Sequence, residues 1–304
     1  MEPTPPASAA PQASSSPRPR RKMIPRTATV TGKQRRSSNL IRVHFDSPDL
    51  VGAEFAHTDH YVKLLFQENG EPLVVNSAEE IGVQQVVRRT YTLCAIDPEH
   101  GKFSIDFVEH NHSGAPQGVA GPWASRVEPG AQISFLGPGG AWHPEERYQH
   151  FVLAGDEAAA PAVLEGLAAL PALATSFTLI EVADAAAEMP LPENLAPGQE
   201  VRFVHRNGAT HGTALVQALR EHFLTTTPNG APTSAPTGTA WFVHGVAEMV
   251  KEVRSLLFVE LGVPKDDASI SGYWRLGMTE DQWQASKMEF VAQAEAEEAQ
   301  KLAR

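Results

Sequence analysis

One cysteine, Cys94, is all that the 304 residues contain. A disulfide framework is thereby excluded, and a lone thiol suits a reducing compartment. No apolar run approaches the roughly 20 residues that cross a bilayer, so membrane insertion is not expected. Also missing are the dinucleotide fingerprint G-x-G-x-x-G, the phosphate-cradling G-x-x-x-x-G-K, a helical HExxH and a zinc-type cysteine spacing. Basic charge is scarce: 25 Lys and Arg stand against 36 Asp and Glu, for a net charge of −11. Eight of those cations (Arg18, Arg20, Arg21, Lys22, Arg26, Lys33, Arg35, Arg36) fall within residues 1–36, where Glu2 is the only acid. That segment is +7, which leaves −18 for the rest of the chain. So acidic a body argues against a general nucleic-acid binder.

Apolar residues make up 42% of the chain, enough to bury two ordinary domains. Residues 1–25 are rich in Pro, Ala, Ser and Arg and read as a disordered basic tail. No apolar stretch follows Arg20-Arg21, so an export signal is not expected and a cytoplasmic location is. From 26 to 147 the pattern is strand-like. Ile41, Val43 and Phe45 alternate with polar residues, as do Val62, Leu64 and Phe66, and Phe103, Ile105 and Phe107. Val87–Ile96 and Gln132–Leu136 add two more candidates, and together they suggest a small antiparallel barrel. Residues 148–278 alternate strand and helix: strands at Phe151–Ala154, Phe177–Val182, Val201–His205, Ala240–His244 and Ala268–Ser271, helices at Ala160–Leu170, Thr213–Phe223 and Ala247–Leu261. That alternation predicts a parallel, doubly wound α/β domain. Thr225–Thr239, with three prolines, reads as a long loop. Thr279 and Gln282 have capping-box spacing, so a C-terminal helix fills 279–304, its weak stripe of Trp283, Phe290 and Val291 implying only partial docking.

Arg89-Thr90-Tyr91-Thr92 lies on a strand candidate. Its chemistry suits a flavin nucleotide: a guanidinium grips phosphate, a phenol ring packs on the flavin, and a hydroxyl bonds near its N5. An ordinary strand with an exposed arginine matches the same four residues. A Gly-rich stretch, Gly118 to Ala124, enters a short helix near Trp123 and offers backbone N–H groups to a pyrophosphate. Asp106 and His110 alternate along a strand and its exit. Gly155 follows an apolar strand and precedes a helix, where open α/β sheets bind nucleotides; a plain strand-to-helix turn is the other reading. His57 with His60, and His110 with His112, read as loop or surface histidines rather than metal ligands. Cys94 reads as a core residue.

Several spaced blocks share one order with a known family. Arg89-Thr90-Tyr91-Thr92 resembles the flavin signature of the ferredoxin-reductase superfamily. Asp106-Phe107-Val108-Glu109-His110, Gly118 to Ala124, Gly137-Pro138-Gly139-Gly140, Gly155 to Ala162 and Ser271 to Asp281 resemble the siderophore-interacting proteins. The resemblance implies a flavin-binding barrel, a nicotinamide-binding α/β domain and an NAD(P)H-dependent ferric-siderophore reductase. Nicotinamide delivers two electrons together, ferric iron accepts one, and a flavin converts between them. Implied cofactor contacts are Arg89, Thr90, Tyr91, Thr92, Asp106, Val108, His110, Gly118, Ala120, Trp123, Ala124, Gly155, Asp156, Glu157, Pro161 and Trp274, with nicotinamide beside Gly155–Pro161. Lys63 and Arg275 match two cations of the family's basic substrate pocket. No covalent catalyst, general base or resident metal is required. FAD is the implied cofactor, and NADH or NADPH the donor. Asp184 could accept a ribose hydroxyl, and Arg206 could serve a 2′-phosphate. A ferredoxin-type donor, a flavin reductase with another acceptor, and a non-catalytic ferric-chelate binder are the alternatives. No nucleic acid or membrane is expected as partner, and the chain is expected to be a monomer. Three departures stand out: Gly139 where the family often has arginine, Cys94 where arginine commonly follows the Tyr-Thr pair, and Val246 where an acid is usual.

Overall fold

A computed structural model describes residues 24–109, 118–224 and 237–303. Residues 1–23 of the expected tail, His110, and residues 225–236 of the expected loop lie outside them. Seven strands form the first sheet: β1 (Arg26–Ser37), β2 (Leu40–Asp46), β3 (Tyr61–Phe66), β4 (Val87–Thr92), β5 (Cys94–Asp97), β6 (Lys102–Val108) and β7 (Gln132–Gly139). Their order is β4-β3-β7-β1-β2-β6-β5, and every pairing is antiparallel. The alternation read from sequence sets the inner face: Val43, Phe45, Val62, Leu64, Ile105 and Phe107 share one core. A short helix α1 (Ala78–Gly82) starts on Ser77, whose hydroxyl accepts from the Glu80 amide. Another, α2 (Ala120–Arg126), drives Trp123 into the core between Phe45, Phe66 and Phe107. Where β4 meets β6 the rings of Tyr91 and Phe107 pack at 4.5 Å, so side chains close the curl that ladder bonds leave open.

Val87–Ile96 forms two strands rather than one. The ladder to β3 ends where the Leu93 amide bonds the His60 carbonyl, and within β5 Ala95 adopts a left-handed φ of 47°, where the register with β6 shifts between Cys94 and Asp97.

The second sheet contains β8 (His150–Asp156), β9 (Thr175–Val182), β10 (Gln199–His205), β11 (Thr239–Val246) and β12 (Ala268–Trp274). Its order is β10-β9-β8-β11-β12, all parallel. Helix α3 (Ala160–Ala168) covers one face, against Phe151 and Leu153. Helices α4 (Thr213–Leu224) and α5 (Ala247–Arg254) cover the other, against Val152 and Ala154. Burial on both faces is why these strands read as unbroken apolar runs. The helix expected over 247–261 is α-helical only to Arg254; Ser255–Glu260 widens into a π turn.

The two sheets share contacts. Leu40 of β2 belongs to the core under α3, Asn39 donates to Glu157 at 2.8 Å, and Glu165 accepts from the Ala95 amide at 3.1 Å. Helix α6 (Glu280–Leu302) carries the expected capping box and docks more firmly than its weak apolar stripe implies. Trp283 is buried, and charge supplies the rest: Lys251 pairs with Glu297, while Arg254 and Lys265 converge on the buried Glu298.

Candidate functional site

Strand β4 is an edge of its sheet, so its outward amides have no ladder partner. The start of helix α6 lies against that edge, and Tyr273 of strand β12 reaches Thr92 at its end. The Arg89 guanidinium, largely shielded, bonds the Arg88 carbonyl at 2.7 Å and the Asp281 carboxylate at 3.1 Å. The Thr90 amide and hydroxyl donate to Glu280, the hydroxyl at 2.6 Å. Lys63, paired opposite Thr90 in the ladder, donates to the same hydroxyl at 3.3 Å. Thr92 is buried, and its hydroxyl faces Tyr273 of β12. Tyr273 in turn bonds Nδ1 of His244 on β11 at 3.1 Å, and Nε2 of that ring bonds Ser269 at 3.0 Å. Burial pushes His244 down to about 3, with the Lys287 charge adding to it, so the ring is neutral at physiological pH. Burial also raises the Glu280 carboxyl, while Thr90, Arg89 and Lys63 pull it back.

Other residues singled out from sequence take different positions. Asp106 sits on the outer face of β6, opposite Phe107, and grips Arg42 of β2 through two bonds of 2.7 Å. It therefore faces away from the ring of Tyr91. Val108 packs under the α/β domain, and Ala120, Trp123 and Ala124 are core residues of the barrel. Gly118 stands in open space at the entry to α2, where a side chain would meet nothing within 4 Å. Among the described residues no group of three His, Cys, Asp or Glu is placed to hold a metal. His60 already uses both ring nitrogens, on the Gly139 carbonyl at 2.9 Å and the His57 amide at 3.1 Å. Cys94 is buried, which raises its thiol well above the usual range and leaves it inert.

At the carboxyl ends of the parallel strands the acids prove to be internal struts. Oδ1 of Asp156 accepts from the Ala158 and Ala159 amides at 3.0 and 3.1 Å. Its Oδ2 accepts from the Val246 amide at 2.7 Å and the Trp274 indole at 2.8 Å. Burial still pushes this carboxyl up to about 6. Glu157 accepts from Asn39 and the Ala183 amide and pairs with Arg206. Arg206 is buried between Glu157 and Glu181, so it cannot reach out to a 2′-phosphate. Pro161 is buried at the start of α3. Gly155 is required by packing: a Cβ there would lie 2.8 Å from Ala159 and 3.0 Å from the His244 carbonyl. Asp184 is exposed and uses one oxygen to cap a short turn, accepting from Ala186 and Ala187.

The substrate cations also divide. Lys63 bonds the Thr90 hydroxyl on the edge strand, whereas Arg275 leans toward Glu248 at 3.4 Å and lies 4.9 Å over the Phe290 ring. At Gly139, where the resemblance places a third cation, a Cβ would lie 2.6 Å from the ring of the exposed Tyr61, a side chain that would have to turn aside. Sequence reasoning missed Tyr273, Glu280 and Lys287. The first two sit within the block Ser271 to Asp281, so only their pairing with β4 was hidden.

The donor set fits a flavin dinucleotide. A guanidinium, a hydroxyl pair and an aromatic ring follow one another on one edge strand, where Glu280 and Asp281 of α6 now take the bonds of Thr90 and Arg89 that a cofactor would take. Two family models match the chain: siderophore-interacting FAD-binding domain over residues 29–142 and siderophore-interacting protein over 148–277. The chain is 36% identical over 258 residues to the uncharacterized protein Rv2895c of Mycobacterium tuberculosis, covering 79% of this chain and 85% of that protein. It is 25% identical over 267 residues to the ferric vibriobactin reductase ViuB of Vibrio cholerae, covering 86% and 93%. The crystal structure of a siderophore utilization protein from T. fusca superposes with a TM-score of 0.68 at 31% identity, covering 86% of this chain and 96% of that one.

Proposed function

The chain belongs to the siderophore-interacting protein family, and from that premise we propose that it is an FAD-dependent NAD(P)H:ferric-siderophore oxidoreductase. The observation that carries the proposal is the Arg-x-Tyr-Thr edge strand β4, whose Thr92 bonds Tyr273 of the parallel sheet. Arg89 would hold a phosphate of the cofactor, Tyr91 would back its ring system, and the Thr92 hydroxyl, bonded to Tyr273, would offer a hydrogen bond to the ring. When bound, FAD supplies the conversion of a hydride's electron pair into single electrons for iron. The protein's own residues bind and orient; none donates a covalent bond. Lys63 attracts the anionic ferric chelate, and Arg275 serves it only by leaving Glu248. The setting that this reading requires is the cytoplasm, with a monomeric protein and with a ferredoxin-type protein as the other possible donor. Among the described residues no helix is long and apolar enough to cross a membrane.

Donor choice follows from the two candidates at the ends of β9 and β10. Arg206 is consumed by Glu157 and Glu181, and Asp184 keeps one carboxylate oxygen for a ribose hydroxyl. NADH is therefore the preferred donor, and Asp184→Ala narrows the preference by up to about tenfold, the worth of one hydrogen bond. Steady-state kcat/KM with each nucleotide checks this. A strong NADPH preference in the parent protein contradicts it.

A further inference from the structure

We propose that the first turn of α6 is a built-in competitor of the flavin nucleotide: Glu280 and Asp281 hold the donors of β4 with carboxylates that the cofactor's phosphates must displace. The inference rests on the assignment of β4 to the flavin and adds a contact that sets how tightly the flavin is held. Neither acid falls within the two matched family segments, which end at 142 and 277.

One Glu280 oxygen accepts from the Thr90 amide at 3.0 Å and from its hydroxyl at 2.6 Å, and the other lies 3.2 Å from the same amide. Asp281 pairs with the Arg89 guanidinium at 3.1 Å. Carboxylate and phosphate are both oxyanions that seek charge-assisted bonds from N–H and O–H donors, so one set of donors cannot serve both fully. The two acids are not equal. The Asp281 side chain is 61% exposed, so its pair is screened by water and yields easily. Glu280 lies deeper. Burial raises its carboxyl, and Thr90, Arg89 and Lys63 offset that penalty. It is held at β4 by the same groups that the cofactor and its substrate require.

The fold keeps both acids at that place. The capping box of Thr279 and Gln282 fixes the start of the helix, so residues 280 and 281 belong to its first turn. Two residues on, Trp283 is buried against Gly272 of β12, where a Cβ would lie 2.9 Å from its ring. The far end is clamped by Lys251, Arg254 and Lys265 on Glu297 and Glu298. The helix therefore stays docked when flavin enters, and the exchange is confined to the two acidic side chains. Such an arrangement guards the donors of β4 against stray anions, and it lowers the affinity for flavin.

Equilibrium titration of the full-length apoprotein with FAD, followed by flavin fluorescence, tests this, with circular dichroism to show that each variant is folded. Glu280→Ala removes the deeper competitor and is expected to bind FAD about tenfold more tightly than the parent. Glu280→Gln keeps the acceptor but not the charge and gains about threefold; it carries the same test if Glu280→Ala does not fold. Asp281→Ala gains less than about threefold, as suits a screened pair. Glu289→Ala, an exposed acid farther along the same helix, is the neutral control. Inorganic pyrophosphate, which has no ring, is expected to compete with FAD about tenfold better in Glu280→Ala than in the parent. Unchanged or weaker FAD binding in the folded Glu280 variants overturns the proposal and makes the first turn a support of the site, while the flavin assignment stands because the parent binds. A gain for FAD with none for pyrophosphate also overturns it, because the acid then blocks the ring and not the phosphates. Protein that takes up no FAD, in the parent and in the Glu280 variants alike, removes the flavin assignment of β4 and the proposal with it.

Discussion

Arg89→Ala is expected to purify with little flavin while remaining folded. Its guanidinium is largely shielded, and its partners are a backbone carbonyl and the exposed Asp281. It is therefore held in place but not consumed, and it can take a phosphate through two charge-assisted bonds. Loss of such a contact costs about 1.5–3 kcal/mol, or roughly ten- to a hundredfold in affinity. Equilibrium titration of apoprotein with FAD gives the number, and circular dichroism shows whether the fold survives. Unchanged affinity would remove β4 from the cofactor site.

A second large effect is expected at Asp156, and it falls on stability. Four N–H donors from three separate segments converge on this one buried carboxylate. Asparagine offers a single acceptor oxygen and turns its amide hydrogens toward two of the donors. Two orphaned donors at about 1–3 kcal/mol each put the loss near 2–6 kcal/mol, measured as a shift in the urea midpoint. The pH dependence has a definite sign. With the folded carboxyl pushed up to about 6 from a free value near 3.8, the folded chain holds a proton that the unfolded chain has released. Stability from this group therefore falls as pH rises between those values. Asp156→Asn cannot titrate, so the gap between the two proteins should narrow as pH rises from 4 to 6. A widening gap would mean that the four donors outweigh burial and hold the carboxyl low.

How much of this was legible depended on distance along the chain. The alternation of Phe103, Ile105 and Phe107 is a local signal, and it gave the inner face of the barrel correctly. The strand–helix alternation after residue 148 likewise led to the parallel sheet, because burial on both faces imposes apolar runs that a reader can see. Thr90 shows where legibility stopped. Its partner Glu280 lies 190 residues away, and no periodicity connects them. The family resemblance implies Asp156 and Glu157 as cofactor contacts. Their bonds instead run to Val246, Trp274 and Asn39, contacts made only by the folded chain. Arg206 had a charge suited to phosphate, yet two buried glutamates neutralise it. Lys287 sits among the many charges of the last helix, and only the docking of α6 brings it to Ser271 of β12.

The central claim is that this site passes electrons from a nicotinamide, through bound flavin, to chelated iron. Anaerobic addition of NADH to the flavin-loaded protein, followed by a ferric chelate and a ferrous-iron trap, tests it in one cuvette. Bleaching of the flavin by NADH, its recovery on chelate addition, and two ferrous ions trapped per flavin are the results expected. A flavin that bleaches but is not reoxidised by any of several anionic and neutral ferric chelates, while oxygen or a protein acceptor recovers it at once, would contradict the claim.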